Sequence, residues 1–80
     1  MPEKPAVRRE ANLTERAYHY LEERIIDVRI APGERVSEAE VARSLNMSRG
    51  PVREALRKLE SIGLVIREAN RGVRVAEFDE

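Results

Sequence analysis

Cysteine is absent from the chain, so no disulfide can staple the fold and no thiolate is available as a nucleophile. A reducing compartment fits that absence. There is one histidine, His19, which leaves almost no material for a structural zinc site. A site built from His19, Glu22 and Glu23 would need both carboxylates to converge on the ring. No apolar run approaches the length of a bilayer span. The segment Met1 to Ala11 is polar and carries two prolines, unlike a secretory signal. A soluble, cytoplasmic protein with no membrane partner is expected. Internal repeats and low-complexity stretches are missing. So are a nucleophile–base pair, a His/Cys cluster and a glycine-rich phosphate loop. Enzyme chemistry, cofactors and a small-ligand site are therefore not expected.

What is present is charge, and it is segregated. The formal net charge is zero. Residues 1–42 nevertheless hold seven Lys/Arg against nine Asp/Glu, and residues 43–74 hold eight Lys/Arg against three acids. The last six residues add three more acids. A basic block between acidic flanks suggests one face suited to a polyanion. Eighty residues suit one small domain.

The basic block contains the most informative stretch, Ser48 to Gly63. Ser48 is a good N-cap, Pro51 falls in the first turn where its missing N–H costs little, and Gly63 can end the helix in a left-handed conformation. At about 100° per residue, Val52, Ala55, Leu56, Leu59 and Ile62 share an arc of roughly 120°. Arg49, Arg53 and Arg57 recur every four residues as a separate stripe. One face is greasy and the other is basic. Guanidinium forks suit guanine edges or phosphates, and the free amides at the Ser48 end suit a phosphate. Arg49 and Arg53 are the candidates for base edges or adjacent phosphates, and Arg57 for a phosphate. The competing reading is a solvated face with pairs such as Glu54–Lys58 and Arg53–Glu60.

The remaining segments frame that helix. Residues 1–11 read as a disordered N-terminal arm; its Lys4, Arg8 and Arg9 could touch DNA, or simply be solvated. Asn12 or Thr14 can cap a first helix that aligns Leu13, Ala17, Leu21, Ile25 and Val28, with Tyr20 beside them. Ile26 falls on its polar side. Pro32-Gly33 makes a turn, and Arg35-Val36 a very short strand. Ser37-Glu38-Ala39-Glu40 matches a capping box. It opens a helix over Glu38 to Leu45 that buries Val41, Ala42 and Leu45, and Asn46 suits a left-handed end. Two helices joined by so short a turn, the second longer and arginine-faced, form a helix-turn-helix pattern. The runs Leu64 to Glu68 and Val73 to Ala76, with a Gly/Asn turn between them, read as a hairpin with Leu64, Ile66, Val73 and Val75 inward. Arg71 sits at its tip. The expected fold is mainly α (α+β): a winged helix-turn-helix over residues 12–76. It has three helices followed by a two-stranded β-hairpin wing at 64–76, and 77–80 begin a linker.

These motifs resemble a known family. Ala31 to Glu38, Val41-Ala42, Met47 to Glu60, Gly63-Leu64-Val65 and Asn70-Arg71-Gly72 together resemble the N-terminal domain of the GntR family of bacterial transcription regulators. The likeness is greatest to its FadR-type branch and spans roughly Thr14 to Val75. It implies a winged helix that binds double-stranded operator DNA as a dimer, usually as a repressor. The recognition helix, 48–63, would lie in the major groove, with Arg49 and Arg53 in contact. Arg71 and Gly72 at the wing tip would reach the minor groove, and Arg35 would lie near DNA. The chain departs from the pattern at Gly50, where relatives commonly carry Thr, and at Val28 and Asn46, where they often carry Gly. An arginine that contacts DNA in FadR-type relatives falls on Ala39. Those relatives continue into a helical effector-binding and dimerisation domain. The expectation is thus a homodimer in the full-length protein, and a monomer or weak dimer as this fragment. The alternative function is a winged-helix protein-interaction module that does not bind DNA. Such a module would carry exposed apolar residues where this chain has arginines.

Overall fold

Val52, Ala55, Leu56 and Leu59 are completely withdrawn from solvent, and the other elements are arranged around them. In the computed structural model, which describes the backbone of residues 5–77 and the side chains of residues 12–77, the order is helix, short strand, two helices, two strands. α1 spans Pro5–Ile26, β1 Arg35–Val36, α2 Glu38–Leu45, α3 Arg49–Ser61, β2 Val65–Glu68 and β3 Gly72–Val75. The three helices with a small antiparallel sheet form a winged helix-turn-helix. α1 and α3 share the largest interface, and α2 lies against α3. Ala17, Leu21 and Ile25 of α1, Val41 and Ala42 of α2, and Val65, Val73 and Val75 of the hairpin close the core.

The start of α1 departs from expectation. Asn12 and Thr14 lie inside the helix, which begins at Pro5. Proline is suited to a first helical position, and no glycine or second proline interrupts the chain from Ala6 to Ile26. Residues 5–11, expected as part of an irregular arm, are therefore helical in backbone. Met1–Lys4 and the side chains of Arg8 and Arg9 lie outside the described residues, as does the linker beyond Glu77.

All three helices end in the same way. In each, the amide of a left-handed residue bonds the third carbonyl back, and the next amide bonds the fifth carbonyl back. At α1 these are Val28 to Ile25 at 3.1 Å and Arg29 to Arg24 at 2.8 Å. At α2 they are Asn46 to Arg43 at 3.2 Å and Met47 to Ala42 at 3.0 Å. At α3 they are Gly63 to Glu60 at 3.0 Å and Leu64 to Leu59 at 2.9 Å. The left-handed residues have φ of 59°, 57° and 84° respectively. Asn46 and Gly63 suit that conformation. Val28 does not, because its branched Cβ crowds the backbone there. The chain accepts that strain, and Val28 leaves the apolar stripe of α1 to stand 60% exposed.

The sheet is antiparallel in the order β1-β3-β2. Arg35 and Val36 pair with Arg74 and Val73, so the two-residue β1 joins the hairpin to the helices. The hairpin turns over Ala69 and Asn70, with Asn70 at φ 65° and the Arg71 amide bonding the Glu68 carbonyl at 3.1 Å. The alternation on β2 is one residue out of step with expectation. Val65 is buried, whereas Ile66 is exposed. The register explains the shift: Val65 pairs with inward Val75, and Ile66 pairs with Arg74 on the outer face. Leu64 belongs to the α3 exit turn and packs against the core from there.

Candidate nucleic-acid interface

Ser37 fixes the start of α2. Its hydroxyl accepts from the Glu40 amide at 3.2 Å, which is the forward half of the capping box. The return bond from the Ser37 amide to Glu40 is absent among the described residues. Asn46 then turns the chain, and α3 starts at Arg49. Ser48 occupies the N-cap position in an extended conformation, yet its hydroxyl makes no capping bond, contrary to expectation. Its ψ of 171° extends the backbone as a cap requires, without bringing the hydroxyl onto an amide. Side-chain capping thus leaves the first-turn amides of α3 uncovered. Ala55, Leu56 and Leu59 bury one face of this helix, so its arginines project from the other.

The three arginines of the stripe stand out from the protein and meet carboxylates. Their side chains are 61%, 46% and 59% exposed for Arg49, Arg53 and Arg57. Arg53 Nη2 lies 3.2 Å from Glu38 Oε1, and its Nε lies 3.4 Å from both oxygens of that carboxylate. Arg49 Nη2 approaches Glu38 Oε1 at 3.9 Å. Arg57 Nη1 donates to Glu54 Oε2 at 2.7 Å. The pairs on this helix are thus Arg57–Glu54 and a link to α2, rather than Glu54–Lys58 and Arg53–Glu60; Glu60 instead receives Arg67 Nε at 3.3 Å.

Gly50 lies on the surface, and a Cβ built there would meet no atom within 4 Å. It lines a shallow groove of about 250 Å³ with Thr14, Pro51, Arg53, Glu54 and Arg57. The structure therefore brings Gly50, Arg53 and Arg57 together and sets Arg49 beside them through Glu38. Arg71 and Gly72 stand separately at the exposed hairpin tip, with Gly72 at φ 82°. Arg35 is exposed on β1, opposite Arg74. Arg74 Nε donates to Glu68 Oε2 at 3.0 Å across the hairpin.

Two residues at this face are not evident as such from the sequence. Glu38 reads there as the residue after a cap, and nothing in the linear pattern ties it to an arginine 15 positions away. Thr14 reads as a helix cap and becomes a wall of the Gly50 groove. Away from this face, His19 Nδ1 lies 3.7 Å from Glu22 Oε1, and among the described residues no three His, Cys, Asp or Glu side chains are disposed to hold a metal. No helix among them is long and apolar enough to cross a membrane.

Comparison with known proteins agrees with this architecture. Residues 13–75 match the sequence model of the bacterial regulatory proteins of the gntR family. An HTH-type transcriptional regulator of Bacillus subtilis, YdhC, is 38% identical over 61 residues, covering 76% of this chain and 27% of its own. The transcriptional repressor RspR of Escherichia coli is 42% identical over 60 residues, covering 75% of this chain and 26% of its own. The chain thus spans about a quarter of the length of these relatives. A GntR regulator structure from Rhodococcus sp. RHA1 superposes with a TM-score of 0.79 at 41% identity, over 82% of this chain and 32% of that one. With the family match covering most of its length and the helix-turn-helix and wing in place, the chain belongs to the GntR family of bacterial transcription regulators and constitutes that family's DNA-binding domain.

Proposed function

We propose that the chain reads operator DNA with α3 in the major groove and the β2–β3 tip at the minor groove. Arg49 and Arg53 meet base edges near the start of α3, and Arg57 clamps a phosphate. Ser48 and Gly50 lie where the backbone of the first turn approaches the DNA, Arg71 and Gly72 enter the minor groove, and Arg35 lies close to the duplex. The observation that carries this reading is the division of α3 into a face whose Val52, Ala55, Leu56 and Leu59 are fully buried and a face bearing three exposed arginines. Guanidinium groups in that setting match guanine O6 and N7 or phosphate oxygens.

The full-length protein is proposed to be a cytoplasmic repressor of the FadR-type branch that acts as a homodimer on two half-sites. The name of RspR supports repression, and the motif residues 31–38 and 47–60 support the branch. The 80-residue chain by itself is a monomer or weak dimer, so it binds each half-site without the avidity of a pair.

The test begins with duplexes enriched by the chain from a randomised pool and titrated in a mobility-shift assay at several salt concentrations. Binding that prefers the enriched sequence and weakens steeply with salt is expected. Arg49→Ala should lose about 1–3 kcal/mol of affinity for that sequence while its thermal unfolding midpoint stays near that of the parent. A folded Arg49→Ala variant that binds like the parent would overturn the assignment. A parent chain with neither enrichment nor salt dependence would favour the protein-interaction module.

A further inference from the structure

We infer that Glu38 is a positioning residue for sequence readout, holding the Arg53 guanidinium by one side so that its outer end is presented as a fork to a guanine. The inference rests on the interface reading above and concerns how that interface separates one sequence from another. A guanidinium carries five N–H groups in a fixed plane. The Nε edge and one Nη2 hydrogen of Arg53 are directed at Glu38, at 3.4 and 3.2 Å. Of the three remaining hydrogens, one on Nη1 faces back toward Cδ, while the other Nη1 hydrogen and the second Nη2 hydrogen lie side by side at the outer end. That end has the spacing that pairs with O6 and N7 of guanine.

Burial shows which group holds which. The Glu38 side chain is 18% exposed and that of Arg53 is 46% exposed, so the carboxylate lies behind the guanidinium on the protein side. Glu38 is the first residue of α2, directly after the Ser37 cap, where the helix dipole favours a negative charge. Its backbone is fixed by the Ser37 cap, and Arg49 Nη2 approaches the same carboxylate at 3.9 Å. An untethered arginine reaches phosphates in many orientations. One tethered along its Nε edge keeps a narrow set. The carboxylate also cancels part of the positive field that attracts any phosphate backbone, which lowers affinity for unrelated DNA. Both effects widen the gap between a matching site and the rest.

The experiment compares the parent chain with Glu38→Gln, Arg53→Ala and the double variant. Three probes are used: the duplex enriched by the parent, the same duplex with single guanines exchanged for adenine, and a scrambled duplex. Glu38→Gln is expected to lose about tenfold in discrimination at one guanine position, while its affinity for the scrambled duplex holds or rises. Placed on Arg53→Ala, it should cost no further discrimination at that position. Circular dichroism accompanies each variant. Glu38→Asp, which keeps the charge at shorter reach, repeats the comparison should the Gln variant not fold. Equal changes on enriched and scrambled duplexes would overturn the inference and leave a plain charge effect. An equal loss in the Arg53→Ala background would overturn it in favour of direct contact between Glu38 and a base. Enrichment by the parent with discrimination unchanged in Glu38→Gln removes this inference alone. No enrichment by the parent removes the interface reading together with it.

Discussion

α1 and α3 pack against each other, but they relate to their own sequences in opposite ways. α3 starts after Ser48 and ends at Gly63, where its cap, proline and glycine indicate. α1 starts seven residues before Asn12 and ends on a left-handed Val28. The difference lies in the strength of the local signals. Around α3, each boundary residue has a conformational preference that agrees with its position. Around α1, nothing upstream of Asn12 prevents helix, and the end is imposed by the turn that must follow. The chain has to reverse through Pro32-Gly33 so that β1 can pair with β3. A strained valine is the accepted cost of that path.

The core that the two helices share should respond most strongly to substitution. Leu56→Ala on α3 removes a fully buried side chain and should cost about 2–5 kcal/mol in chemical denaturation. Leu13→Ala on α1, at a partly exposed position, should cost clearly less. If the two losses were equal, α1 would be anchored over more of its length than its burial indicates.

The helix ends offer a sharper test, because opposite exchanges should have opposite signs. Gly63→Val places a branched side chain at φ 84° with no atom within 4 Å of its Cβ, so only backbone strain opposes it. A loss of about 1–2 kcal/mol is expected. Val28→Gly relieves the same strain at φ 59°, sacrifices little burial and adds flexibility to the unfolded chain. A net gain of about 1 kcal/mol should raise the thermal midpoint by several degrees. A destabilised Val28→Gly would show that the valine makes a contact worth more than its exposure implies.

The smallest effects should separate the two helix starts. Ser37 accepts an amide hydrogen and Ser48 does not. Ser37→Ala should therefore cost about 1 kcal/mol, and Ser48→Ala only a few tenths. Similar losses would mean that the Ser48 hydroxyl caps α3 in solution after all.

In the wing, alternation along the sequence is a weaker guide to the core than helical periodicity. On a helix, an error of one residue moves a side chain by about 100°, and the stripe remains recognisable. On a strand, the same error moves every side chain to the other face. Leu64 and Ile66 look like an inward pair by alternation. The exit turn of α3 claims Leu64 before the strand begins, so Val65 becomes the first inward position. Leu64 packs on the core from the turn, and Ile66 is left opposite Arg74.

The sequence by itself determined the three-helix and hairpin order, the bounds of α2 and α3, and the arginine stripe of α3. Helical periodicity, a cap and left-handed end residues are local properties, and each can be read within a few positions. Tertiary structure alone decided that Glu38 meets Arg53 and Arg49, that Thr14 stands beside Gly50, and that Val28 adopts a conformation its side chain disfavours. Those outcomes depend on which elements approach each other in space, and a charge or a φ angle distant in sequence leaves no periodic trace along the chain.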